Sequence, residues 1–335
     1  MNKKSIRYFF AILLLSFVVP LAAQTTSAGG RGMFRVFSAE TIQRGSIFIT
    51  NSYQTFLRTT DSRGYGNDHT IQLGLTYGLT HSLELTAQIV PYQEDQLHDF
   101  SLPGDTQLGV KWRLPLSNQS LVSGVRGFII VPTGRSHNVP FEPYSSGKLS
   151  WGAMGMMTLN LGQGYPLKVY ANFGYLDHNI TTLFSNDITD QLLLAFGLKI
   201  PIQALIIYAE YTGEIFINND ALDFKDNSMR VTYGAKFGGP LRTTIDVGMD
   251  IGLSRNLNPA PHPLVHDYAD WKIFAGFSYQ ITTARVYGRP PIVTKANTND
   301  ESKILEEIKK KRERVDEDLE EMKKKLEEGE KKPEG

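Results

Sequence analysis

Between residues 45 and 281 apolar and polar side chains trade places at nearly every second position, in segments of about ten to fourteen residues. Twelve such segments are predicted, near 45–58, 68–79, 82–92, 105–116, 120–132, 149–161, 166–177, 189–200, 203–216, 227–238, 240–254 and 269–281. In 240–254 one row reads Leu241, Thr243, Ile245, Val247, Met249, Ile251 and Leu253, and the other Arg242, Thr244, Asp246, Gly248, Asp250 and Gly252. Period-two alternation marks strands with two unlike faces. Strands of soluble proteins run about 5–6 residues, whereas a tilted strand crossing a bilayer needs ~9–11. These segments are of the second kind.

The connections alternate in length as well. Short ones fall at 80–82, 117–119, 162–166, 200–203 and 238–240, and long ones at 59–67, 93–104, 133–148, 178–188, 217–226 and 255–268. That is the habit of up-and-down barrels in outer membranes, with short periplasmic turns and longer outer loops. Twelve oily faces would need a second layer to cover them in water. Lipid covers them all, and closure pairs every strand edge. The fold class expected is therefore all-β, a transmembrane up-and-down antiparallel β-barrel of about 12 strands at 45–281. It would lie in the outer membrane of a Gram-negative-type cell envelope, with both termini periplasmic and outer-membrane lipid around it. Leu75, Tyr77, Leu83, Leu85, Ala87 and Ile89 would face lipid, and Glu84, Thr86 and Gln88 the lumen. Trp151 and Trp271 fall toward outer strand ends and Trp112 toward an inner end, where aromatic girdles lie.

Parity then assigns a charged lumen. Its acids are Glu84, Glu210, Glu214, Asp246 and Asp250, and its bases Lys111, Arg113, Arg126, Lys168, Lys199, Arg230, Lys236, Arg242 and Lys272. Arg113, Lys168, Lys199, Lys236 and Arg242 fall toward the periplasmic end. Two readings are open. A basic mouth could attract anions toward a charged constriction, or the charges could pair across a lumen narrower than that of large porins and close it.

The flanks differ from the barrel. Residues 1–23 join a basic start (Lys3, Lys4, Arg7) to a short apolar stretch ended by Pro20, the layout of a secretory signal peptide. Residues 24–44 are glycine-rich and suit either a flexible periplasmic lead or a plug folded into the lumen. Residues 282–300 read as a linker stiffened by proline. Residues 301–332 are predicted to form a charged α-helix, solvated alone or paired as a short coiled coil through Leu305, Ile308, Val315, Leu319, Met322 and Leu326. Self-association or a periplasmic partner would engage it through 301–330.

Composition narrows the chemistry. The chain of 335 residues has no cysteine and a formal net charge of zero. That removes disulfides, thiol nucleophiles and cysteine-bound metals, and argues against nucleic acid as a partner. No G-x-S-x-G, H-E-x-x-H or P-loop pattern occurs. His69, His98, His137, His178, His262 and His266 lie in or beside outer loops, and His81 in a short turn. No catalytic residue, metal site or cofactor is expected, and an enzyme is the least favoured class.

The stretches "LGLTYGLTHSLELTAQIVPY", "GDTQLGVKWRLP" and "GFIIVPTG" resemble the MetA-like family of outer-membrane barrels linked to phenol degradation. The carrying elements are Tyr77-Gly78-Leu79-Thr80, Gly104-Asp105 and Pro132-Thr133-Gly134, over about a quarter of the chain. The resemblance implies passage of small organic molecules. The expected function is a channel or transporter for a small-molecule solute, organic or anionic. The alternatives are a non-conducting barrel that anchors or assembles through its periplasmic helix, and an outer-membrane enzyme.

Overall fold

The computed structural model describes residues 24–60, 64–94, 103–115, 120–161, 166–181, 188–202, 204–254, 264 and 268–282. The chain divides into two units, Met1–Ala284 and Arg285–Gly335, and the second lies outside the described residues. So do the expected signal peptide, most of the linker, the C-terminal helix, and His98, His262 and His266.

Twelve strands follow one another: β1 (Ser46–Thr60), β2 (Gly64–Gly78), β3 (Leu83–Gln93), β4 (Thr106–Arg113), β5 (Leu121–Val131), β6 (Ser150–Asn160), β7 (Lys168–Asp177), β8 (Gln191–Ile202), β9 (Leu205–Phe216), β10 (Ser228–Gly238), β11 (Thr243–Gly252) and β12 (Trp271–Thr282). Each pairs antiparallel with the next, and β12 pairs with β1 from Ser46↔Thr282 to Thr55↔Ile273, so the sheet closes into a barrel. The expected transmembrane β-barrel fold is thus present, and closure leaves no unpaired edge.

Alternation fixes which face is out. Along β11, Ile245, Val247 and Met249 are exposed on the outer wall, while Asp246 and Asp250 between them are buried. Leu75, Leu85 and Ile89 likewise face out, and Glu84 and Thr86 face in. A slip of one residue would put charges on the oily wall, so the register is strongly specified.

Three element boundaries differ from expectation. The loop expected at 59–67 is mostly strand: β1 and β2 stay paired through Arg58↔Gly66 and Thr60↔Gly64. The turn expected at 200–203 is partly strand too, with Ile200↔Ile207 and Ile202↔Leu205 paired across Pro201. Segment 240–254 loses its first residues to a 3-10 turn, Pro240–Arg242, in which Leu241 and Arg242 take positive φ.

Candidate functional site

Residues 24–44 lie inside the barrel. Two isolated bridges, Thr25↔Arg31 and Gly32↔Phe37, fold the segment back on itself. Gly29 (φ 73°) and Gly30 (φ 86°) make its turn. A Cβ at Gly29 would sit 2.8 Å from the Leu75 carbonyl oxygen, so backbone conformation and space both demand glycine there.

This inner segment is held by two apolar clusters and by the inward polar rows. Met33, Phe34 and Val36 pack with Tyr170, Ile206, Tyr208 and Phe274, the Phe34 and Phe274 rings stacking at 3.7 Å. Phe37 and Ala39 pack with Val122 and Met156. The Gly30 amide donates to Thr76 Oγ1 at 2.6 Å, the Ala39 amide to Thr158 Oγ1 at 2.9 Å, and Phe37 exchanges two hydrogen bonds with the Asn172 side chain. These are the bonds that backbone amides of an irregular segment need when buried away from water.

The charged residues singled out from the sequence are largely engaged by that segment. Glu84 pairs with Lys111 at 2.7 Å, both fully buried, and also accepts the Arg31 and Ile42 amides. Lys111 reaches the Glu40 carbonyl at 2.9 Å. Lys168 pairs with Glu40 at 2.8 Å, and Lys199 donates to Gln24 Oε1 at 2.8 Å. Lys236 donates to the Thr25 and Met33 carbonyls and pairs with Asp246 at 3.2 Å. Glu210 accepts the Arg35 and Val36 amides, and Asp250 pairs with Arg35. Toward the long-loop end Arg230 pairs with Glu214 at 3.2 Å, and Lys272 with Asp68 at 2.6 Å and Glu142 at 2.8 Å. Arg113 is half-buried at the short-turn end. Arg242, assigned by parity to the inward row, lies instead in the exposed turn before β11. Arg126 instead donates from Nη2 to the neutral Gln107 Oε1 at 2.8 Å.

Several charged partners lay beyond the reach of strand parity. Arg31, Arg35 and Glu40 come from the inner segment, and Glu142 from the connection between β5 and β6. Burial pushes the Glu40 carboxyl up, but Arg31 and Lys168 outweigh it and hold the group at about 2. Phe141 of that same connection meets Phe56 edge-on, and Tyr144 meets His178 and Phe216. His178, expected in or beside a loop, is buried, with Nε2 2.9 Å from Gln191 Oε1.

Between the inner segment and this inturned connection lies a cavity of about 290 Å³. Ser27, Ala28, Arg35 and Phe37 form its floor and Glu142–Ser145 its roof. Gln72, Gln88, Gln107 and Gln191 supply polar wall, and Phe128, Ile130, Met154 and Leu176 apolar wall. Among the described residues no group of three His, Asp or Glu side chains could hold a metal ion.

No protein-family model matches the sequence, and no curated protein matches it. Solved structures do resemble the barrel. An outer membrane channel from Pseudomonas putida F1 matches with a TM-score of 0.51 at 14% identity, over 72% of this chain and 98% of that one. The KdgM porin matches with a TM-score of 0.46 at 7% identity, over 69% of this chain and 98% of that one. The CymD monoaromatic hydrocarbon channel matches at 0.38 and 7% identity, over 72% and 89%. The likeness at a TM-score of 0.51 is one of fold: a closed antiparallel β-barrel of the outer-membrane kind.

Proposed function

We propose that this chain is an outer-membrane channel for small organic or anionic solutes, whose path opens when the inner segment shifts. The observation that carries the reading is a closed barrel, oily outside and polar inside, holding a cavity between two pieces of inserted backbone. The likeness in fold to an outer membrane channel supports it. Long connections at one end and short turns at the other support an orientation with both termini in the periplasm.

The inner segment is bound by many separate contacts rather than by a continuous strand: neutral hydrogen bonds of ~1 kcal/mol net each, and charged contacts with Glu84, Glu210 and Asp250. That suits an element able to leave contact by contact. The basic residues toward the short-turn end would then serve two states: they hold the segment when it is seated, and line an anion-attracting mouth when it is displaced.

We place the chain beside the MetA-like barrels. Two sequence elements of that resemblance meet in space. Thr133 Oγ1 donates to the Gly104 carbonyl at 3.0 Å, and the Gly134 amide donates to Asp105 Oδ1 at 3.1 Å. The Gly-Asp and Pro-Thr-Gly elements therefore form one clasp at the ends of β4 and β5.

The filled lumen favours a second reading, a barrel that does not conduct. Uptake by liposomes, with and without the reconstituted protein, decides between them. Across a panel of anions, sugars and aromatics, the channel reading expects entry of at least one class above protein-free vesicles. Entry of none supports the non-conducting barrel.

A further inference from the structure

We propose that the cavity binds small amphiphilic carboxylates, the carboxylate on Arg126 and the hydrocarbon body on the apolar wall beside it. This deepens the channel reading by naming a class of solute, and takes its biological setting from that reading.

Arg126 points inward from β5 and is 2% exposed. Its neighbours in the cross-strand row explain why its charge is left over. Glu84, Lys111, Arg126 and Met154 stand side by side on β3, β4, β5 and β6. The row has one acid for two bases, and Lys111 takes the acid at 2.7 Å. Among the described residues Arg126 is left with one hydrogen bond, from Nη2 to the neutral Gln107 Oε1 at 2.8 Å. Its Nε is buried without a partner among the described residues, and no described carboxylate lies within ion-pair distance of it. The rings of Phe37 and Phe128 lie 4.3 and 4.6 Å from the guanidinium carbon. At Gly109 the absent side chain makes room for the group, since a Cβ there would meet Nη2 at 3.0 Å.

A buried guanidinium without an acid is costly to the protein, and a ligand carboxylate would relieve that cost. Carboxylate also fits the guanidinium fork with two parallel bonds. The acids that share the cavity are engaged by other groups: Glu214 by Arg230, Glu142 by the Lys272 that it shares with Asp68, and Asp105 by the Gly134 amide and the Ser145 hydroxyl. Apolar wall from Phe128, Ile130, Met154 and Leu176 lies within the same cavity as Arg126. Its volume of about 290 Å³ suits a one-ring acid, at the lower edge of ordinary ligand sites.

The test is calorimetric titration of the full chain in detergent with benzoate, benzamide and benzylamine, which share a ring and differ in charge. Benzoate is expected to bind at least about tenfold tighter than benzamide, the margin of one charge-assisted contact. Arg126→Gln should bring benzoate down to the level of benzamide and leave benzamide unchanged. Gln107→Glu should do the same with the guanidinium retained, because it supplies the missing acid from within. It decides the matter if Arg126→Gln fails to fold. Equal binding of benzoate and benzamide, tighter binding of benzylamine, no detectable benzoate binding, or preference for benzoate surviving in a folded variant would each overturn the proposal. Binding in detergent does not depend on conduction. A protein that binds benzoate but passes no solute in liposomes would therefore sink the channel reading alone.

Discussion

Lys111 and Glu84 show what a buried pair does in this lumen. Neither side chain is exposed, and Glu84 also holds the amides of Arg31 and Ile42. Breaking one side of such a pair costs about 3–5 kcal/mol, because the other charge stays buried. Lys111→Met is therefore expected to loosen residues 24–44 while leaving the strand ladder intact. Hydrogen exchange would show faster exchange confined to the inner segment, and Lys111→Met with Glu84→Gln should restore part of the protection. Glu40 adds a pH dependence. Its carboxyl is held at about 2 by Arg31 and Lys168, with Lys199 contributing. A folded-state pKa below the ordinary one stabilises above the ordinary carboxylate range, near 4.5, and the gain is lost as pH falls toward 2. Proteolysis of the inner segment by an acid-active protease should accelerate over that window, and Glu40→Gln should flatten the response. At this scale the sequence carried the inward charges but not their partners. Parity ranks Arg126 and Lys111 alike; only the row across four strands shows that one has an acid and the other does not.

The strands and the inner segment were legible to different degrees for physical reasons. A strand between lipid and water writes its two faces into alternate positions, so β11 and β12 stand out in the text of the chain. The same hairpin ladder continues in β1 and β2 beyond Arg58 and Gly66, where the residues no longer alternate, and the pattern vanishes while the backbone pairing persists. The inner segment has no period, because its contacts come from many strands rather than one neighbour. A signal was present nonetheless. Val122, Met156, Tyr170, Ile206, Tyr208 and Phe274 are apolar residues on the inward rows, and each needed something apolar inside the barrel to meet it. Gly29 tests the fit of that element. Gly29→Val adds both a left-handed strain of about 1–2 kcal/mol and a clash with the Leu75 carbonyl. It should unseat the segment and raise its protease sensitivity without lowering the thermal stability of the barrel.

For the whole molecule, the outer wall and the lumen make separate claims. If hydrocarbon covers Ile245, Val247 and Met249, a charge at mid-wall is expensive. Val247→Arg should destabilise the protein in bilayers by about 2–4 kcal/mol, read from urea titration into lipid vesicles. An arginine tolerated there without loss would place that face against something other than lipid. The lumen claim is that the inner segment governs passage. Because the chain has no cysteine, a single engineered pair can pin it. Ser38 Oγ and Thr158 Oγ1 lie 3.3 Å apart, one on the segment and one on β6, within reach of a disulfide after substitution by cysteine. Single-channel recording of the Ser38→Cys, Thr158→Cys protein in a planar bilayer is the most direct measurement. A gated channel should be ion-tight when oxidised and conduct once reductant frees the segment. Equal conductance in both redox states, or none in either, would contradict it.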